Sequence, residues 1–383
     1  MMQRRDILYC EVYGDIVAAH AAWAARGDFT GETSVTFSGQ LFECCRLEGL
    51  TFHAVSYCDK ARSVETASGT IANVPRWDFR IPKIGSELAV FLYALRLLLL
   101  AIRVRPRVIF ICAGATDWAY LPLLRLSGAK LAPVMHNTLW PDGFRPRVGL
   151  RQRIYRFVWR RCVWLTLAVS PACARQVQSV AGNVPVIVFR PNFPAASFAE
   201  PPVPKEFTSA PLRVMFAGRI EEEKGVFDIL DMAEALPAVE FSLCGDGQAL
   251  PEIRRQIGAR ALRNVKTFGK LKRPQLLERY LDAHLVIVPT RSIFPEGFAM
   301  VVAEAILLLR PVITSPVVPA AEVFPGAVIC VDTDRVQGYI DAIQGLNAET
   351  YSRLVDNARA LRPFILDDST SFLAALRSSI GRE

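Results

Sequence analysis

Residues 285–305 read LVIVPTRSIFPEGFAMVVAEA. The run from Leu285 to Thr290 is continuously apolar, as in a strand covered on both faces. A loop containing Pro295 and Gly297 follows, and a helical apolar pattern begins near Met300. Glu296 falls in the loop. Gly297, Phe298 and Ala299 are expected to form the first helical turn, with unpaired N–H groups facing any anion in front of them. Glu304 lies eight residues beyond Glu296, about two turns along at 3.6 residues per turn. Its surroundings, MVVAEAILLL, are apolar. A carboxylate there is costly to bury without hydrogen-bond donors. Sugar hydroxyls are such donors, and an arginine on a neighbouring helix is the alternative.

The same strand–loop–helix unit recurs outward from this stretch. In the second half, strands are expected at 212–217, 239–244, 264–268, 285–290, 311–314 and 327–331. In the first half they are expected at 7–12, 34–38, 51–57, 107–113, 130–136, 165–169 and 186–190. Between Pro191 and Pro211 the sequence carries six prolines in 21 residues, which excludes a regular helix or central strand. The expected architecture is α/β: two doubly wound, Rossmann-like domains facing each other across a cleft. The first spans 1–192, a Pro-rich linker 193–211, and the second 212–365. A terminal helix within 366–383 carries Phe372, Leu373 and Leu376 on one stripe, is capped by Asp368 or Ser369, and is expected to dock on the first domain.

The 383 residues are 51% hydrophobic and 21% charged, which excludes a disordered or collagen-like chain. Nine cysteines without a C-x-x-C pair read as reduced thiols in a cytosolic compartment. Four widely separated histidines give no expectation of a metal site. Residues 1–15, broken by Glu11 and Asp15, do not read as a leader. The apolar run Leu88–Ile102 contains Arg96 and falls short of the ~20 residues a bilayer requires, so it reads as a buried helix.

The net charge of +8 is uneven: residues 101–200 hold 14 Lys/Arg against 3 Asp/Glu. Such asymmetry points either to an acidic partner or to an ordinary solvated face. Nucleic acid is set aside, because no binding module is present. Residues 145–164 interleave arginines with Tyr155, Trp159 and Trp164 at helical spacing. That pattern suits a helix lying on an anionic membrane surface, and equally one packed on its own domain with arginines outward.

Two further blocks carry chemistry. In Phe216-Ala217-Gly218-Arg219-Ile220-Glu221-Glu222-Glu223-Lys224-Gly225 a strand ends at a glycine, and an arginine and a lysine follow five residues apart. Both could address one diphosphate, the arginine as a fork and the lysine as a point charge; a merely solvated loop is the alternative. Cys244-Gly245-Asp246-Gly247 ends another strand and, taken alone, reads as a structural turn.

In combination, Glu296-x7-Glu304 followed by Pro311-Val312-Ile313-Thr314, the G-R-x4-K-G block at 218–225 and the G-D-G turn at 245–247 resemble the retaining GT-B glycosyltransferases of family 4. Pro191-Asn192 resembles that family's interdomain junction, and Met135-His136-Asn137 its active-site histidine loop. The resemblance covers most of residues 185–345. It implies transfer of a hexose-type sugar from a UDP-sugar or GDP-sugar to a glycan or lipid-linked acceptor in surface polysaccharide synthesis, with no cofactor or metal. It assigns the diphosphate to Arg219 and Lys224 beside Gly218 and Gly245, and the ribose to Glu304. The donor sugar and phosphate fall to Glu296 with the amides of Gly297, Phe298 and Ala299, and His136 enters from the first domain. Metal independence agrees with the expectation that no D-x-D carboxylate pair lies near a loop. Localisation would be cytoplasmic, peripheral on the inner membrane face if residues 145–164 dock there.

Two positions depart from the pattern. Glu11-Val12-Tyr13-Gly14-Asp15 stands where the family has a Gly-rich loop, and Leu309 replaces a glycine before Arg310, so that helix is expected to end differently. A nucleotide-sugar epimerase of the same fold and a non-catalytic glycan-binding protein are the rival readings.

Overall fold

The computed structural model describes residues 5–25, 36–75, 77, 79, 85–144, 149–194, 198–207 and 211–381. The first sheet has eight strands: β1 (Ile7–Cys10), β2 (Phe52–Tyr57), β3 (Arg62–Glu65), β4 (Gly69–Val74), β5 (Val108–Cys112), β6 (Lys130–Met135), β7 (Thr166–Ala168) and β8 (Val186–Val188). Their spatial order is β3-β4-β2-β1-β5-β6-β7-β8. The second sheet holds β9 (Leu212–Ala217), β10 (Val239–Cys244), β11 (Val265–Gly269), β12 (Leu285–Val288), β13 (Val312–Thr314) and β14 (Val328–Cys330) in the order β11-β10-β9-β12-β13-β14. Pairing is parallel throughout except for β3 on β4. β1, β5 and β12 are buried along their whole length, which explains their unbroken apolar sequences.

Three expectations are corrected. Residues 36–38 are not strand: Thr36 accepts a bond from the Gly39 N–H and caps the helix Phe37–Glu48, while 34–35 lie outside the described residues. The β3–β4 hairpin was not anticipated, because its edge strand is exposed at every position and has no apolar alternation to read. The last helix, Phe372–Ile380, is capped by Ser371 rather than Asp368 or Ser369; Asp367 caps the short 3-10 turn before it. This helix packs on Phe37–Glu48, with the Gln40 side chain accepting from the Leu373 N–H at 3.1 Å and Arg377 paired with Glu48 at 2.5 Å. The run at Leu88–Ile102 lies in the helix Gly85–Val104, which buries Tyr93, Leu97 and Ala101 but leaves Leu99 and Ile102 exposed. Among the described residues no helix is long and apolar enough to cross a membrane.

Three histidines give the fold a pH dependence. Burial pushes His53, His136 and His284 down to about 4. The His284 Nδ1 accepts the Arg213 N–H at 3.0 Å, which a ring protonated on that nitrogen cannot do. The unfolded chain takes up these protons near pH 6.5, whereas the folded chain takes them up only near 4. Their contribution is therefore complete above pH ~6.5 and lost as pH falls toward 4. Thermal melts should show the midpoint falling steeply across that window; a flat profile would contradict the assignment.

Candidate active site

The cleft between the sheets holds a cavity of about 430 Å³. Phe37, His136, Asn137 and Val169 line it from the first domain; Gly218, Arg219, Lys224, Glu296, Phe298, Ala299 and Glu304 line it from the second. Apart from Glu304, these residues lie at strand ends and helix starts, where a doubly wound sheet leaves unpaired backbone groups.

Lys224 and Glu296 form the centre of the second-domain wall. Their Nζ and Oε2 are 2.6 Å apart, with 15% and 9% of the side chains exposed. Lys224 also sits 3.8 Å from the centroid of the Phe294 ring, and Arg219 lies 5.5 Å from the same ring. Arg219 is over half exposed and reaches Glu221 at 2.6 Å. The loop that presents Glu296 is tied down on both sides. Arg291 bonds Asp228 at 2.8 and 3.1 Å, and the Ser292 N–H donates to Asp334 at 3.0 Å. Asp332 and Asp334 are spaced as D-x-D, a pair the sequence reading overlooked. Asp334 serves the loop through Ser292, while Asp332 makes only an exposed local pair with Arg335 at 3.2 Å.

Glu304 is 8% exposed and faces the cavity from the helix Met300–Leu307. The Tyr280 hydroxyl donates to it at 2.6 Å, so a tyrosine is among its structural partners. Tyr280 is anchored in turn by Arg310, which is 2% exposed and donates to the carbonyls of Tyr280 at 2.9 Å and Leu281 at 3.0 Å. Leu309 adopts φ 56°, the left-handed conformation expected of a glycine at that place. The helix therefore ends as a glycine would end it, and a fully buried leucine carries the strain in return for its packing.

The expected first helical turn is also corrected. Helix begins at Met300, and Ala299 stands before it at φ 68°. Across the cleft, a Cβ on Gly297 would sit 1.8 Å from the His136 carbonyl oxygen, so only glycine fits there. The chain thus passes backbone against backbone at Gly297, and helix starts after the left-handed Ala299. The Cys173 thiol donates to the Gly297 carbonyl at 3.7 Å from the first domain. Gly245 is not on the cavity wall. It lies behind Gly218, where a Cβ would meet the Gly218 oxygen at 1.7 Å, and it holds that turn in place.

On the first domain, His136 stacks on Phe37 with centroids 4.3 Å apart and places Nε2 3.4 Å from the Cys112 thiol. Its Nδ1 is buried without a hydrogen-bond partner. Burial keeps the ring neutral near pH 7. Phe372 of the last helix contacts Phe37 at 5.4 Å, so the end of the chain supports the histidine. Glu11 accepts from the Tyr9 hydroxyl at 2.7 Å and the Val12 N–H at 3.1 Å, and burial raises its carboxyl above the usual range. Glu11, Cys112 and His136 bring potential ligand atoms within 4.8 Å of one another, from three adjacent strand ends. Sequence reading missed Phe37 and this grouping, because only sheet order brings such distant positions together.

Residues 202–361 match the family described as glycosyl transferases group 1. The chain is 27% identical over 179 residues to an alpha-D-kanosaminyltransferase of Streptomyces kanamyceticus, covering 44% of this chain and 46% of that one. It is 25% identical over 180 residues to a putative colanic acid biosynthesis glycosyl transferase, WcaI, of Escherichia coli K12, covering 40% and 42%. These matches span less than half the length of either curated relative. Over its whole length the structure is similar to Anabaena HepE in complex with UDP, with a TM-score of 0.66, 16% identity, and coverage of 99% of this chain and 100% of that one. The chain thus has the GT-B fold, and its residues 202–361 match the glycosyl transferases group 1 family.

Proposed function

We propose that this protein is a retaining glycosyltransferase of family 4. It would move a hexose-type sugar from a UDP-sugar or GDP-sugar to a glycan or lipid-linked acceptor in surface polysaccharide synthesis. The observation that carries the reading is the buried Lys224–Glu296 pair, set on the cavity wall between Arg219 and Glu304 and across from His136. Arg219 and Lys224 would neutralise the departing nucleoside diphosphate, and positively charged groups fixed in a partly dry cleft are effective there. Glu304 would accept from the ribose hydroxyls, and Tyr280 holds its carboxylate in position. Glu296 would orient the donor sugar, helped by the amides of Phe298 and Ala299. The acceptor hydroxyl would attack on the face the diphosphate vacates, which retains the anomeric configuration, with neutral His136 near the reacting centre. The charge complement at Arg219 and Lys224 supplies what a metal would otherwise supply. The likeness to HepE, solved with UDP and with UDP-glucose, supports a nucleotide-sugar donor, and the likeness of residues 202–361 to enzymes of sugar transfer supports the reaction class.

The test is a thermal-shift panel with UDP, GDP, ADP and their sugars, beside Lys224→Ala. A ligand at 100 times its Kd adds about 2.7 kcal/mol, which moves the midpoint several degrees in a protein of this size. One nucleotide class should shift the wild type and lose its effect in Lys224→Ala. Absence of any shift would overturn the donor assignment.

A further inference from the structure

The helices that follow β4, β5 and β6 pack side by side on one face of the first sheet: Gly85–Val104, Leu121–Arg125 and Leu150–Cys162. A solvent-facing layer in a folded domain is ordinarily polar, with apolar side chains scattered singly. This layer exposes Leu99 (67%), Ile102 (49%), Leu126 (73%), Leu150 (76%), Ile154 (39%) and Phe157 (64%). On the third helix Leu150, Ile154 and Phe157 follow the i, i+4, i+7 spacing of one stripe, while Val158 and Trp159 face inward. The helix therefore has two apolar sides, and the domain uses one.

The charges around the exposed stripe have one sign. From Leu88 to Ser170 the sequence has thirteen Lys/Arg and two acidic residues, Asp117 and Asp142. Asp117 is already engaged by Arg151 at 2.6 Å and the Tyr155 hydroxyl at 2.8 Å. Arg153, Arg156, Arg160 and Arg161 are exposed on the same helix. Beside it opens a cavity of about 590 Å³ whose wall includes Trp118, Trp140, Tyr155 and Trp159 with Arg156, aromatic side chains of the kind that settle at headgroup level. The length and apolarity needed to cross a bilayer are absent from the described helices.

We propose that this three-helix face docks on an anionic phospholipid bilayer, with Leu150, Ile154 and Phe157 entering the headgroup boundary and the arginines meeting lipid phosphates. Charge complementarity selects that occupant. An apolar partner protein has no use for a surplus of arginines, and a second copy of the same face would set arginine against arginine. The docked face also adjoins the cleft. His136 and Trp140 are four residues apart, at most about 14 Å of chain, so an acceptor sugar carried on a membrane lipid would arrive beside His136. This last point rests on the transferase reading; the docking itself does not.

The experiment is vesicle co-sedimentation of the full chain with phosphatidylglycerol or phosphatidylcholine vesicles, for wild type, Leu150→Ser/Ile154→Ser/Phe157→Ser and Arg153→Ser/Arg156→Ser. Each basic residue near an anionic surface contributes about fivefold in affinity, the equivalent of ~1 kcal/mol. The wild type should bind phosphatidylglycerol and not phosphatidylcholine. The arginine pair should weaken binding about 25-fold, salt should weaken it further, and the apolar triple variant should bind at least tenfold less. All five positions are exposed, so the variants should keep the wild-type melt and nucleotide shift, which separates loss of docking from loss of the donor site. Equal sedimentation with both lipids, or none with either, overturns the proposal. So does sedimentation unchanged in both variants. A concentration-dependent dimer lost in the triple variant, without vesicle binding, overturns it in favour of a homotypic interface.

Discussion

Glu296→Ala and Lys224→Ala are each expected to lower sugar transfer by about 10²-fold or more, the usual cost of removing one group aimed at developing charge. The geometry predicts that they fail differently. In Lys224→Ala the Glu296 carboxylate stays on the cavity wall without the ammonium that meets it at 2.6 Å. It would repel the diphosphate, so nucleotide affinity falls together with turnover. In Glu296→Ala the ammonium is released toward the phosphate, so nucleotide affinity holds or tightens while turnover falls, because the sugar has lost its orienting partner. The two losses should not add in the double variant, since the residues act as a unit. Steady-state transfer rates beside nucleotide titrations would check this. Near-wild-type turnover in both single variants would refute the assignment.

Arg310→Met is the largest effect expected on stability. Arg310 is 2% exposed, and its charge is held by backbone carbonyls at the end of the helix Arg273–Asp282. Methionine fills part of the volume but donates nothing. Losing three charge-assisted bonds, the third to the Leu309 carbonyl at 3.2 Å, costs about 4.5 kcal/mol, which lowers the melting midpoint by roughly 9–18 °C. Tyr280 is in that helix, so Glu304 should lose its anchor too, and nucleotide affinity should fall more than in a surface variant of equal stability. A melt within 2 °C of wild type, by the same scale of about 2–4 °C per kcal/mol, would show that the carbonyls are satisfied without the guanidinium.

The parallel sheets were legible because strands buried on both faces write themselves as unbroken apolar runs, as β5 and β12 do. The β3–β4 hairpin was not, since an exposed edge strand carries no such run. Residues 36–38 were misread because a β-branched pattern outweighed the single threonine that caps a helix. Sequence spacing singled out Gly218, Arg219, Lys224, Glu296 and Glu304, which line the same cavity from one domain, four on strand–helix turns and Glu304 on the helix that follows. It could not give the close approach of Gly297 to the His136 carbonyl, because that backbone belongs to the other domain. Nor could it give Phe37 against His136 or Arg310 beneath Tyr280, since those contacts depend on sheet order and helix packing.

Gly297 pressed against the His136 carbonyl carries a consequence for the order in which ligands act. The loop that would grip the donor is the same loop that leans on the first domain, and no side chain of Gly297 cushions the contact. Anything that shifts Glu296 is transmitted to the residue after β6. By reciprocity, whatever an acceptor does to that strand end returns as an equal change in donor affinity. The missing methyl group at Gly297 is thus the point at which the two halves of the molecule would feel each other.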